Sequence, residues 1–244
     1  MKRLFEVVAA ALGLVLASPL LLVVSLAIWL QDFHPPFYLG WRTGRGGRPF
    51  RMVKFRSMVA RADRTGVDST AGDDPRITPV GRLVRRLKLD ELPQLWNVLV
   101  GEMALVGPRP NVPRETDVYT AEERRLLEVR PGVTDIASIV FADESEILRG
   151  SPDPDLRYHQ LIRPWKSRLA LLYARRPPAL GLDLHILWLT LLSAIDRPRA
   201  LRECALLVRR LGGDEALARV AQRTAPLVPT PPPGALHVVQ SRVA

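Results

Sequence analysis

Two carboxylates, Asp90 and Glu91, stand side by side in a stretch that is otherwise basic and apolar, GRLVRRLKLDELPQLWNVLVG over residues 81–101. A carboxylate can attack phosphorus and form an acyl phosphate. A neighbouring carboxylate can hold Mg²⁺, which neutralises phosphate oxygens so that an anion can approach them. Arg85, Arg86 and Lys88 precede the pair and could form a cationic wall for a diphosphate. Arg109 sits between Pro108 and Pro110. Its backbone is restricted on both sides, which suits a pre-organised phosphate clamp. Lys54 and Arg56, in KFRSM, supply further cations. Each residue has a plainer reading as well. Acidic residues offset the dipole at helix N-termini, and arginines line solvated surfaces.

Other chemistries lack their residues. The chain has no Walker A loop, no G-x-G-x-x-G and no H-E-x-x-H. Asp73-Asp74, followed by Pro75, reads as a turn. His34, His159, His185 and His237 show no metal-ligand spacing, and Ser57 and Ser138 have no evident base partner. A single cysteine, Cys204, excludes an internal disulfide and a cysteine zinc site. The 244 residues carry a net charge of +10, which implies an anionic partner: nucleic acid, a phosphorylated small molecule or an acidic membrane surface. Of the 35 basic residues all but Lys2, Lys54, Lys88 and Lys166 are arginines. Coding bias in a GC-rich genome explains that, as does bidentate phosphate recognition.

The elements around these residues follow from periodicity. Phe50 to Phe55 alternates well enough for a short strand, with Arg51 and Lys54 on opposite faces. Residues 59–80 read as a helical turn and a polar loop. Residues 82–87 predict a short basic helix. Leu92, Leu95, Trp96 and Leu99 fall on one helical face, with Pro93 in the first turn and Gly101 at the end. Asp90 and Glu91 therefore lie at or just before a helix N-terminus. Rigid turns follow at 106–110 and 130–132, with a helix around 121–129 between them. Residues 155–175 and 182–195 read as two more helices, the second apolar enough to bury or to rest on a membrane. Residues 199–221 predict a basic amphipathic helix, and the proline-rich end a disordered tail.

No charged residue occurs between Glu6 and Asp32. As a straight helix Val7–Leu30 would measure roughly 36 Å, enough to cross a bilayer core. A simple anchor and a signal peptide are two readings. A third rests on Ser18-Pro19 at the midpoint, because proline removes a helix hydrogen bond. Each half is then roughly 18 Å long, about one leaflet. Basic residues on both flanks favour a hairpin that enters and leaves by the cytoplasmic face. Trp29, Phe33, Phe37, Tyr38 and Trp41 would form an interfacial aromatic belt.

KFRSM (54–58), DDPRITPVGRLVRRLKLDELPQLWNVLVGEMALVGPRP (73–110) and RPGVT (130–134) together resemble the bacterial sugar transferases of the monotopic phosphoglycosyl transferase superfamily. The resemblance covers residues 1–195. It implies an enzyme that moves a phosphosugar from a UDP-sugar to polyprenyl phosphate, releasing UMP and starting a polysaccharide or glycan. It implies that Asp90 is the nucleophile that carries the phosphosugar, that Glu91 holds Mg²⁺, and that Arg85 and Arg109 contact phosphate. Lys54, Arg56 and Lys88 join the expected phosphate contacts. It also implies a break at Ser18-Pro19 that makes the helix re-entrant. The implied fold is α/β, mostly short helices with a little strand. A re-entrant membrane segment (1–33) precedes a compact catalytic domain (34–198) on the cytoplasmic face of the inner membrane, with a basic helix and tail (199–244) beyond. Membrane lipid is an expected partner and nucleic acid is not; a homodimer stays open. Where the family commonly has glycine after the Pro-Gly-Val/Ile-Thr turn, this chain has Asp135, and 139–153 also departs, so the sugar stays open. The rival is a membrane-tethered binding protein, which predicts that Asp90 and Glu91 are dispensable. A degenerate scaffold is a third reading.

Overall fold

The uncharged N-terminal run forms one helix, α1 (Lys2–Asp32), with Pro19 inside it. The computed structural model describes residues 2–65, 67 and 69–241. The expected helix–break–helix is continuous in its hydrogen-bonding pattern, and the reason is local. Proline at 19 removes the donor that Val15 O would receive in a helix. The Ser18 hydroxyl donates to that carbonyl at 2.7 Å instead.

Both ends of α1 are fastened to the rest of the chain. At the start, Arg3 Nη2 donates to Val98 O at 2.7 Å, and Lys2 Nζ lies 2.7 Å from Asp183 Oδ2. At the end, Gln31 Oε1 accepts from Val80 N at 3.1 Å, and Asp32 is paired with Arg56. Between these ties Val15, Leu16, Leu22 and Val23 are exposed.

The chain then makes an antiparallel hairpin, β1 (Phe37–Thr43) and β2 (Pro49–Phe55), with Tyr38 opposite Lys54. As the alternation predicts, Arg51 and Lys54 lie on opposite faces: Arg51 stacks over Trp41, and Lys54 is the one that feels the charges of the acidic pair. Helix α2 (Pro79–Arg86) starts at Thr78, whose hydroxyl accepts from Gly81 N. Helix α3 (Gln94–Val100) ends at Gly101 in the left-handed region. The apolar side of α3 is not its buried side. Gln94, Asn97 and Val98 point inward, and Trp96 is exposed. Leu95 instead packs against Gly13 of α1, so that face meets the apolar N-terminal helix.

Strands β3 (Ala104–Val106) and β4 (Gly132–Thr134) pair in parallel, with α4 (Pro113–Asp117) between them in sequence. The segment expected as a helix around 121–129 is a 3-10 helix, Glu123–Glu128. The two strands bring the Val106–Pro110 and Arg130–Gly132 turns backbone to backbone. A Cβ on Gly132 would lie 2.1 Å from Gly107 N, so glycine is required there. After β4 come α5 (Ile136–Val140), α6 (Glu144–Ile147), α7 (Pro154–Leu161) and α8 (Arg163–Ala174). Helix α9 (Leu180–Ile195) buries Ile186, Leu189 and Leu192 and exposes Leu184, Trp188, Leu191 and Ile195.

Beyond α9 the structure differs from the expectation. The single helix of 199–221 is two, α10 (Arg197–Arg210) and α11 (Glu215–Gln222), divided at Gly212-Gly213. Ala200, Cys204, Val208, Ala218 and Ala221 belong to the main core, so these helices pack with the preceding domain. Residues 225–241 form no helix or strand, yet they are tied down. Thr230 N donates to Gln160 O, Arg168 Nη2 to Pro231 O and Gln160 Nε2 to Val239 O, at 2.8–3.0 Å. Gly66 and Asp68 of the polar loop and residues 242–244 of the tail lie outside the described residues.

Candidate active site

Helix α2 cannot run on into the acidic pair, because Lys88 adopts the left-handed conformation with φ +57°. That reversal starts a short 3-10 turn, Leu89–Glu91, and α3 follows. Asp90 and Glu91 thus sit on a tight turn between two helices. Asn97 on α3 docks this unit on the hairpin: it accepts from Val53 N at 2.9 Å and donates to Arg51 O at 2.8 Å. The docking puts Lys54 of β2 within electrostatic reach of both carboxylates.

The β3–β4 pair supplies the other wall. Gly107 N donates to Thr134 O and Gly132 N to Pro108 O, each at 3.0 Å, which fixes the proline-rich turn. From that turn Arg109 reaches Glu91, donating from Nη2 to Oε1 at 2.5 Å and from Nη1 to Oε2 at 3.1 Å. Its Nη1 also lies 3.3 Å from Val133 O.

The charges shift one another. Burial opposes ionisation of Glu91, but Arg109 and Lys54 outweigh it and pull its pKa down to about 2. Asp90 is buried, and burial raises its carboxyl above the ordinary range despite Lys54; the Glu91 charge adds to the rise. Burial and then the Arg109 charge bring Lys54 down to about 8, against the pull of Glu91 and Asp90. Arg109 is held protonated, its burial outweighed by Glu91.

The structure therefore gathers Asp90, Glu91, Lys54 and Arg109. Arg85 is half-buried near Asp90, and its charge lowers that carboxyl. Lys88 is exposed, and its Nζ donates to Ala142 O at 3.2 Å. Arg56 is elsewhere. It grips both Asp32 oxygens at 2.6 Å and donates to Pro35 O at 2.9 Å, so its donors hold the end of α1 and none faces the carboxylates. Expected among the phosphate contacts, Arg56 is instead paired in this structure with Asp32, 24 residues away in sequence.

Asp135, singled out as a departure that leaves the sugar open, and Gln94, which was given no role, are both buried. Asp135 is buried, caps α5 by accepting from Ser138 N at 2.7 Å, and adds a third carboxyl whose charge Arg109 feels. Gln94 is fully buried on α3, and its amide atoms have no hydrogen-bond partner among the described residues. A polar residue in the first turn of a short apolar helix was the available signal.

Among the described residues no three His, Cys, Asp or Glu side chains converge. Mg²⁺ does not need three: it commonly takes one or two carboxylates, with phosphate oxygens and water completing the shell. Asp90 and Glu91 offer that oxygen set. Each Glu91 oxygen accepts one bond from Arg109 and keeps a lone pair free. The residues fit the ion.

Comparison with known proteins bears on this arrangement. The family model described as bacterial sugar transferase matches residues 1–197. A Caulobacter vibrioides protein named UDP-glucose:undecaprenyl-phosphate glucose-1-phosphate transferase is 40% identical over 173 residues, 68% of this chain and 65% of the relative. An Aeromonas hydrophila protein named UDP-N-acetylgalactosamine-undecaprenyl-phosphate N-acetylgalactosaminephosphotransferase is 36% identical over 169 residues, 67% of this chain and 40% of the relative. The exopolysaccharide production protein ExoY of Sinorhizobium fredii is 39% identical over 153 residues, 57% of this chain and 68% of the relative. The chain thus spans under two thirds of the first two relatives and just over two thirds of the third.

Proposed function

The chain belongs to the bacterial sugar transferase family, and on that premise we propose that it transfers a phosphosugar from a UDP-sugar to a polyprenyl phosphate such as undecaprenyl phosphate. The products are UMP and polyprenyl-diphospho-sugar, and the reaction starts an exopolysaccharide or related glycan. The observation that carries this reading is the Asp90–Glu91 turn, walled by Lys54 and Arg109. It sits in a chain whose relatives are named for UDP-sugar and undecaprenyl-phosphate chemistry.

Asp90 acts as nucleophile. Its carboxylate oxygen bonds to the β-phosphorus of the UDP-sugar as the bond from that phosphorus to the bridging oxygen breaks, and UMP leaves with the bond pair. An oxygen of the lipid phosphate then attacks the same phosphorus and frees the Asp90 carboxylate. Both substrates are anions that would repel in one site, and two steps let one cationic pocket take them in turn. Lys54 and Arg109 offset the phosphate charge, with Arg85 and Lys88 at the margin. Arg109 also keeps Glu91 ionised. Glu91 would hold Mg²⁺, which supplies charge neutralisation at the phosphate oxygens when bound.

The membrane arrangement belongs to the same proposal. Helix α1 is long and apolar enough to cross a membrane by length and composition. Yet Arg3 and Lys2 at one end and Gln31 and Asp32 at the other bond to the same globular body. A helix spanning the bilayer would have to surrender one set of ties. With both sets of ties kept, both flanks lie on one side of the membrane, and the basic residues on each flank favour the cytoplasmic face of the inner membrane for that side, as a re-entrant course requires.

The test is UMP release from a panel of UDP-sugars with Mg²⁺ and polyprenyl phosphate. Lipid-dependent release is expected from wild type and none from Asp90→Asn. Wild-type rates in that variant would overturn the assignment of Asp90.

A further inference from the structure

Helices α10 and α11 lie almost wholly beyond residue 197, where the family match ends. Their contacts lead back to the acidic turn. Asp143 is shared between the two ends of this helical pair. Arg197, the first residue of α10, places Nη2 2.9 Å from Asp143 Oδ1. Arg223, the residue that closes α11, donates from Nη2 to Asp143 Oδ2 at 3.1 Å and lies over the Phe141 ring, 5.5 Å from its centre. Arg197 also reaches Val140 O at 3.3 Å. The pair therefore grips the corner 140–143 that follows α5.

The next link is on the same corner. The carbonyl of Ala142, adjacent to Asp143, accepts from Lys88 Nζ at 3.2 Å. Lys88 is the left-handed residue that turns α2 into the Asp90–Glu91 segment. Both ends of this chain of contacts are non-glycine residues at positive φ, Lys88 at +57° and Arg223 at +61°. Such conformations are costly for residues with a Cβ and persist where surrounding contacts over-determine them. At Arg223 those contacts are Asp143 and Phe141. At Lys88 the side-chain contact is Ala142.

We propose that Arg223 is a positioning residue of the transfer reaction: through Asp143 it holds the corner whose Ala142 carbonyl receives Lys88, and so sets the turn that carries Asp90 and Glu91. The proposal rests on the reading of that turn as the reacting site. It gives the C-terminal segment a role in catalysis rather than in packing alone.

The test uses the full chain in lipid nanodiscs, comparing wild type with Arg223→Gln, Lys88→Met and the double variant. A small misplacement transmitted to a reacting group costs rate rather than affinity, so kcat for UMP release falls about tenfold in Arg223→Gln while KM for the UDP-sugar stays within about twofold. The double variant is no slower than Lys88→Met, because both substitutions cut one chain of contacts. Amide hydrogen exchange at residues 86–92 speeds up in Arg223→Gln, and the amides of α9 keep their rates. Unchanged exchange at 86–92 would refute the coupling whether or not the enzyme turns over. So would losses that multiply in the double variant, or a KM change equal to the kcat change. Wild type that releases no UMP would instead overturn the transferase reading, and the exchange measurement would still decide the coupling.

Discussion

Lys54 shows how the site's charges constrain one another. It feels the charges of one stronger cation and two carboxylates, and burial and Arg109 together bring its pKa down to about 8. A lysine whose folded pKa is depressed loses its charge as pH rises through that lowered value. The cation facing the carboxylates is therefore present below about pH 8 and fades above it. If that charge holds substrate phosphate, kcat/KM falls on the alkaline side with a midpoint near 8. Lys54→Arg keeps its charge throughout, so the alkaline limb should move up by more than one unit, to the limit set by other groups. A pH profile of UMP release checks this, and an unmoved limb in Lys54→Arg would rule Lys54 out as its source. The residue scale is also where the sequence was most legible. Asp90, Glu91, Lys54 and Arg109 stand out by residue type and local context, and in the structure they lie within reach of one another, their roles being part of the proposal. Arg56 shows what was hidden. Its chemistry is the same as that of Arg109, and only the placement of Asp32 brings a protein carboxylate onto both of its Nη atoms. No local pattern carries that information.

Elements were legible where their pattern is local. The uncharged run of α1, the alternation of β2 and the proline and glycine limits of α3 all show in short windows. The outward apolar face of α3 did not, because its partner, α1, lies some eighty residues earlier in the chain. The division of α10 from α11 had a local signal that a longer helical periodicity masked: Gly212-Gly213 followed by Asp214, which caps α11 through Leu217 N. The pair of turns at β3–β4 gives the sharpest test at this scale. Gly107 and Gly132 meet backbone to backbone, and a methyl on Gly132 would overlap Gly107 N. Gly132→Ala should therefore destabilise the fold by about 3 kcal/mol and misplace Arg109. Thermal unfolding measures the first effect and UMP release the second. A variant with wild-type stability would show that the turns separate more freely than their contact implies. At the end of α1, Arg56→Met removes the partner of a half-exposed Asp32, and a loss of about 2 kcal/mol is expected because water partly screens the pair. Denaturant unfolding in detergent reads it, and turnover by the folded fraction should persist, since Arg56 faces away from Asp90.

At the scale of the whole molecule the question is which side of the membrane holds each end of α1. Proline 19 does not by itself reverse the helix, because Ser18 satisfies the carbonyl it orphans. The argument for a re-entrant course is global: Lys2 and Arg3 bond to α9 and α3, while Gln31 and Asp32 bond to α2 and the hairpin's edge. The partners of Lys2 and Arg3 lie on helices of the main core, which extends through α10 and α11, and those of Gln31 and Asp32 lie beside a second cluster of Val24, Ile28, Phe55 and Val84. The native thiol will not confuse a labelling test. Cys204 is fully buried, and burial pushes its pKa up to about 12, so it is scarcely nucleophilic while the protein is folded. Single cysteines at Leu4 and Arg48, both exposed, report the two flanks. With a membrane-impermeant maleimide, both should label in inverted inner-membrane vesicles and neither in intact spheroplasts. Labelling of Leu4→Cys from the outside and Arg48→Cys from the inside would show a spanning helix. The ties of Lys2 and Arg3 to α9 and α3 would then have to be absent in the membrane. Lys2→Met should separate the two cases further. In the re-entrant course Lys2 and Asp183 stay paired, so removing the lysine leaves a buried aspartate with only the Tyr173 hydroxyl and no cation, and lowers stability. In a spanning course the pair does not exist, and Lys2→Met leaves unfolding unchanged.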